Sequence, residues 1–179
     1  MNPVLVEAWR GDTVESCHRG AVAVVDGDGA LGASLGDIDR PVFPRPAIKL
    51  LQALPLLESG AADRFGLSDE ELALACASHN GELAHTRTVA AVLARAGLDE
   101  SVLECGAHWP YDVPCAHALA AVGAVPSALH NNCSGKHAGF VCLGCVLAGD
   151  REPRGFLAGY VQPEHAVMRE VNAAVAGVT

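Results

Sequence analysis

Aromatic side chains are scarce. Phe, Trp and Tyr make up 4% of the 179 residues, so Ala, Val and Leu must supply the packing. Charge is scarce as well, at 18%, and it is unbalanced: 12 basic residues against 21 acidic, a net of -9. There is no Lys/Arg cluster. A protein that tracks phosphates needs a positive stripe, so the composition argues against a nucleic-acid partner and against an anionic membrane surface. No long apolar run occurs. The longest weakly polar stretch, Ala138–Gly149, is too short to span a bilayer. The first residues, Met1 to Glu7, lack the basic start and apolar run of a signal peptide. Together these absences predict a cytoplasmic chain. In a reducing compartment its seven cysteines, at irregular spacings, read as core thiols or ligands rather than a disulfide framework.

What is present suits a globular domain. Half of the chain is hydrophobic, which argues against disorder, and the length fits a single domain over residues 1–179. The first 36 residues read as strands. Val4, Val6 and Ala8 alternate with Leu5, Glu7 and Trp9, and Gly11 follows in a turn. Thr13–His18, Ala21–Val25 and Leu31–Leu35 continue the pattern, and Asp26-Gly27-Asp28-Gly29 is a hairpin signal. These runs predict an antiparallel meander of three or four strands.

Helical spacing then takes over. Ile48, Leu51 and Leu54 mark a helix over Ala47–Glu58. Ser68-Asp69-Glu70-Glu71 is a capping box that opens a helix to about Ala77. Further helices are predicted over Glu82–Ala96, Cys115–Val122, Lys136–Ala148 and Pro163–Ala176. Strands first and helices afterwards predict an α+β fold, an antiparallel sheet flanked by helices. No later strand follows to cover the edge of the early meander.

Three polar segments stand out: Arg45–Lys49, Ser78–Glu82 and Asn131–Lys136. Asn131-Asn132-Cys133-Ser134-Gly135-Lys136-His137 sits just before an apolar helix, whose first backbone N–H groups favour a carboxylate or an oxyanion. The same residues could simply cap that helix. Ser78-His79-Asn80-Gly81-Glu82 joins two predicted helices and places a hydroxyl beside an imidazole. It also reads as an ordinary connection made of turn formers. Lys49 falls early in its helix. In Ser-x-x-Lys chemistry the hydroxyl lies one turn before the amine, but here that position is Pro46. Cys142 and Cys145 form a C-x-x-C on an apolar helix, read as buried thiols.

Taken in order, four elements resemble a known family: Phe43–Lys49, Cys76–Glu82, Glu104–Pro110 and Asn131–Gly139. The set is similar to the asparaginase II family, the thermolabile rhizobial-type L-asparaginases. The resemblance covers the whole chain, which corresponds to roughly the N-terminal half of a family member. It implies a serine β-lactamase/glutaminase-like fold, incomplete at the C-terminus. It also implies hydrolysis of L-asparagine to aspartate and ammonia by serine nucleophiles working with lysines, beside a zinc ion held by cysteine and lysine.

Carried over by position, the resemblance makes Lys49 and Ser78 catalytic and Cys133 and Lys136 metal ligands. Arg45 becomes a binder of the substrate's α-carboxylate, because guanidinium takes carboxylates bidentately. His79, Asn80, Gly81, Asn131 and Asn132 line the substrate, with backbone N–H groups around Gly81 or Gly135 as expected oxyanion donors. Pro46 stands where the family has its first serine, and the family's further zinc cysteine and later lysine lie past Thr179. Neither Ser–Lys pair is therefore complete, and the zinc set is short. Two alternatives follow: an inactive truncated member that keeps the fold or a ligand site, and another Ser/Lys acyl-transfer hydrolase. A homodimer is also consistent with the family. The hydrolase expectation requires Lys49, Ser78 and Cys133 to converge on one amide-sized hollow.

Overall fold

The computed structural model describes residues 1–178 and falls into two units, Met1–Phe43 and Pro44–Thr179. The strand signals of the first unit become strands β1 (Val4–Arg10), β2 (Thr13–Arg19), β3 (Val22–Val25) and β4 (Leu31–Leu35). Asp26 ties the last turn: its Oδ1 accepts the N–H of Asp28 at 3.0 Å and of Ala30 at 2.8 Å. The expected single meander is not formed. The strands make two separate antiparallel hairpins, β1 with β2 and β3 with β4. The reason lies in the link between β2 and β3, Gly20-Ala21. A tight hairpin there would need φ > 0, and Gly20 does not adopt it, whereas Gly11 and Gly29 do, at 59° and 82°. Every strand residue is exposed within this unit, so alternation has produced strands without a core beneath them.

The second unit is helical. Its elements are α1 (Lys49–Glu58), α2 (Ala61–Arg64), α3 (Asp69–Ala75), α4 (Leu83–Arg95), α5 (Val113–Ala121), α6 (Ser134–Ala148), α7 (Pro153–Leu157) and α8 (Ala166–Gly177). The capping box at Ser68 is present: Glu71 N–H donates to Ser68 Oγ, and Ser68 N–H donates to Glu71 Oε2 at 2.9 Å. Two short helices, α2 and α7, escape helical periodicity because one turn carries too little pattern. In α7 the signal was a cap instead. Glu152 accepts from the N–H groups of Arg154 and Gly155, with Pro153 at the first helical position.

Helix α6 is the centre of this unit. It is apolar all round and packs against α1, α2, α3, α4, α7 and α8. Gly135 lets α3 come close, since a Cβ there would stand 2.5 Å from the carbonyl oxygen of Leu74. That contact matters for function, because it brings the start of α6 against the end of α3. Cys142 and Cys145 are buried free thiols, as the apolar helix predicts, and burial pushes Cys142 up to about 12.

Candidate active site

Lys49 is the first residue of α1 and is only 6% exposed. The turn before it is held by the carbonyl of Pro46, which accepts the Lys49 N–H at 3.2 Å. The ammonium spends all three donors on the protein. It donates to the carbonyl of Ala77 at 2.6 Å, to Ser78 Oγ at 2.5 Å and to Cys133 Sγ at 3.3 Å. Ser78 follows the unwinding end of α3 and is exposed. Cys133 is the N-cap of α6. One lysine thus gathers a hydroxyl from the loop after α3 and a thiol from the start of α6. The serine that it meets lies 29 residues away in the chain, not three.

More positive charge surrounds the pair. Lys136 lies in the first turn of α6, half-buried, with its ammonium 5.4 Å over the ring of Phe140. Burial lowers its pKa, Cys133 raises it, and the nearby charges of Lys49 and Arg45 lower it further. Arg45 itself is exposed, just before α1. Three cations therefore share one region, which suits an anionic group on a substrate.

The remaining expected residues, Asn80 apart, are tied into the protein by hydrogen bonds. His79 is 5% exposed and uses both ring nitrogens. Its Nδ1 accepts the Gly81 N–H at 3.1 Å, so its Nε2–H donates to Ser134 Oγ at 2.8 Å. Ser134 passes its own proton to the carbonyl of Leu129 at 2.8 Å. Burial first, and then His85, Lys49, His108 and His130, hold the His79 pKa down at about 4, so the ring is neutral. The N–H of Gly81, expected among the oxyanion donors, is therefore already spent on His79. Gly81 has φ +79°, and a Cβ there would sit 3.0 Å from Pro110, so only glycine fits.

Asn131 is a clasp. Its Nδ2 donates to the carbonyl of Cys105 at 2.7 Å and its Oδ1 accepts the Cys133 N–H at 2.8 Å. Asn132 donates its backbone N–H to His108 Nε2 at 2.9 Å and accepts the His79 N–H on its carbonyl at 3.0 Å. The Asn80 carbonyl accepts the Asp112 N–H at 3.0 Å, while its side chain stays exposed. Ser78, His79 and Asn80 line an open cleft of about 510 Å³, whose walls also include Glu70, Glu82 and His85. Lys49 donates to both Ser78 and Cys133 from the protein side, but neither Lys49 nor Cys133 lines that cleft, so it is not the shared hollow expected of the three.

A family model described as L-asparaginase II matches residues 6–179. The chain belongs to the L-asparaginase II family. No curated protein matches its sequence.

Membership in the L-asparaginase II family raises the question of zinc. Among the described residues, no three His, Cys, Asp or Glu side chains stand together so as to hold a metal ion. Cys133 and Lys136 give two donors, where a zinc ion takes four ligands. The thiol of Cys105 is pushed up to about 11 by burial, and its Sγ donates to the carbonyl of Ala128. Cys133 and Lys136 alone do not complete a zinc site, and no step below passes through one.

Sequence reasoning left other residues of this asparaginase II chain without a role. His137, inside the specific motif, is buried, and its Nδ1 lies 2.6 Å from the Tyr160 hydroxyl. That hydroxyl accepts the Glu104 N–H at 3.1 Å, so it donates to His137. Burial, then Lys136 and Lys49, lower the His137 pKa to about 4. The signal was available: a histidine at the fourth position of a buried helix needs a partner. His85 stacks on His79, with ring centroids 5.0 Å apart, and lines the cleft.

Among the described residues, no helix is long and apolar enough to cross a membrane.

Proposed function

We propose that this chain is an L-asparaginase-type amidohydrolase in which Ser78 is the nucleophile and Lys49 its base. The observation that carries the reading is the 2.5 Å contact between Lys49 Nζ and Ser78 Oγ. With Lys49 neutral, its lone pair takes the Ser78 proton, and its two remaining N–H groups keep the Ala77 carbonyl and Cys133. Oγ then attacks the carboxamide carbon of L-asparagine. The Lys49 ammonium returns the proton to the departing nitrogen, and ammonia leaves an aspartyl ester on Ser78. Water, deprotonated by the same amine, cleaves the ester to aspartate and regenerates the serine.

Arg45 and Lys136 are the groups for the substrate's α-carboxylate. Asn80, exposed beside Ser78, is the side chain placed to hydrogen-bond the amide. His79, Asn131 and Asn132 contribute by holding the 78–82 loop against the start of α6. The experiment is ammonia release from L-asparagine by the chain and by Ser78→Ala, with a β-lactam as the control for a different acyl-transfer hydrolase. Pro46 favours a second reading, a member that binds but does not turn over, because the position one turn before Lys49 has no hydroxyl. Ammonia release separates the two.

A further inference from the structure

Lysine is rare in this chain. Its 12 basic residues are ten arginines and two lysines, Lys49 and Lys136. Both lysines act on one thiol. Cys133 Sγ accepts from Lys49 Nζ at 3.3 Å, and Cys133 acts electrostatically on Lys136. The choice of cation matters chemically. A deprotonated lysine amine is a nucleophile, whereas an arginine guanidinium stays charged. All seven cysteines are free, and the other six lack this setting. Burial pushes Cys76 and Cys145 up, Cys105 to about 11 and Cys142 to about 12. The hydrogen bond with Asp112 pushes Cys115 up. Cys17 is exposed on β2 of the hairpin unit. Cys133 is half-buried, so a small oxidant can reach its sulfur, while the amine beside it is only 6% exposed. The mechanism above uses Lys49 on its Ser78 side and leaves the sulfur without a task.

We propose that Cys133 and Lys49 form an oxidation site for peroxides, at which the two side chains become joined by a sulfenamide bond. Sγ attacks one peroxide oxygen and the O–O bond breaks. Sulfur is oxidised to a sulfenic acid, peroxide is reduced, and the thiol proton leaves in the water that forms. Rotation about the Cε–Nζ bond turns the lone pair of neutral Lys49 toward sulfur. Nζ attacks Sγ, the N–S bond forms and the S–O bond breaks. The departing hydroxide takes a proton from nitrogen and leaves as a second water. A dithiol reverses the bridge. One of its thiols attacks Sγ and the N–S bond breaks, with the proton passing to the amine. Its second thiol then releases Cys133 and leaves the dithiol as a disulfide. The bridge itself stands on the Lys49–Cys133 contact. Its effect on turnover rests on the amidohydrolase reading, because a lysine held on sulfur cannot take the Ser78 proton.

The test treats the whole chain with equimolar hydrogen peroxide and maps it by mass without reductant. The expected product is the Lys49 peptide joined to the Cys133 peptide, lighter than the two together by a pair of hydrogen atoms. Ammonia release falls in proportion to the bridged fraction, and dithiothreitol restores both. Lys49→Arg keeps the charge and removes the nucleophile. Its Cys133 should form no bridge and should react with dimedone, which traps sulfenic acids. The wild-type map decides alone if that variant does not fold. Added oxygen on Cys133 with no bridge overturns the proposal, and so does a bridge to Lys136 or a disulfide to another cysteine. Ammonia release by a chain that forms no bridge overturns it and leaves the amidohydrolase reading standing. A bridge in a chain that never releases ammonia supports it and removes that reading.

Discussion

Ser78 and His79 are neighbours in the chain, and the networks that leave them are built on opposite terms. From Ser78 the hydrogen bonds run to Lys49 and on to Cys133, and the hydroxyl itself is exposed at the wall of a cleft. From His79 they run to Gly81, Ser134 and Leu129, and every one ends inside the protein. The first network keeps a reactive atom at the surface beside a buried charge. The second satisfies polar groups in order to fix a loop. The difference teaches which polar residues of one motif do chemistry and which hold it in place.

The largest effect expected from breaking this comparison is on turnover. Ser78→Ala should lower ammonia release by at least about a thousandfold, within the range seen when a nucleophile is lost. Its urea midpoint should move little, because the residue is exposed. His79→Ala should do the reverse in kind. Removing a buried ring strands the Gly81 N–H and Ser134 Oγ, and a loss of roughly 2–4 kcal/mol in unfolding free energy is expected. Equal losses of stability in the two variants would erase the distinction.

The second network also has a pH signature. His79 and His137 both sit at about 4, below the ordinary histidine value of 6.5. A base whose pKa is depressed by folding takes its proton more readily when unfolded. Stability is therefore full above pH 6.5 and is lost as pH falls toward 4. Each histidine contributes up to roughly 3 kcal/mol across that window. Urea unfolding between pH 7 and 4 checks this, and His79→Gln should remove about half of the slope.

Gly81→Ala tests the loop alone. The positive φ and the approach of Pro110 predict a cost of roughly 1–3 kcal/mol, read by thermal melting. The smallest effect belongs to the hairpin unit. Val24, 56% exposed on β3, should tolerate Val24→Thr within about 0.5 kcal/mol, against a cost of about 2 kcal/mol for Val141→Ala at the wholly buried centre of α6.

That last contrast bears on what could be read from the sequence. Alternation and the Asp26–Gly29 signal located all four strands, because both depend on neighbours in the chain. The same holds for α3, which its capping box announced, and for α4 and α6 with their long periodic faces. The division into two hairpins was hidden, since it turns on the conformation of Gly20 alone. At the site, the sequence pointed to Lys49, Ser78 and Cys133, and Lys49 bonds to each of the other two. The expectation that the lysine meets the distant serine came from the family resemblance and not from local pattern, because that pairing is made by α1 and α3 packing on α6. The resemblance also grouped His79, Gly81 and Asn131 with the substrate. A motif marks residues that share a place, but only burial shows that these three are spent on the scaffold.

The most direct test is to quench the chain during turnover of L-asparagine and map any covalent adduct by mass. The account predicts an aspartyl ester on the peptide that carries Ser78, and no adduct in Lys49→Met. Full ammonia release by Ser78→Ala, or an adduct on another residue, would contradict it.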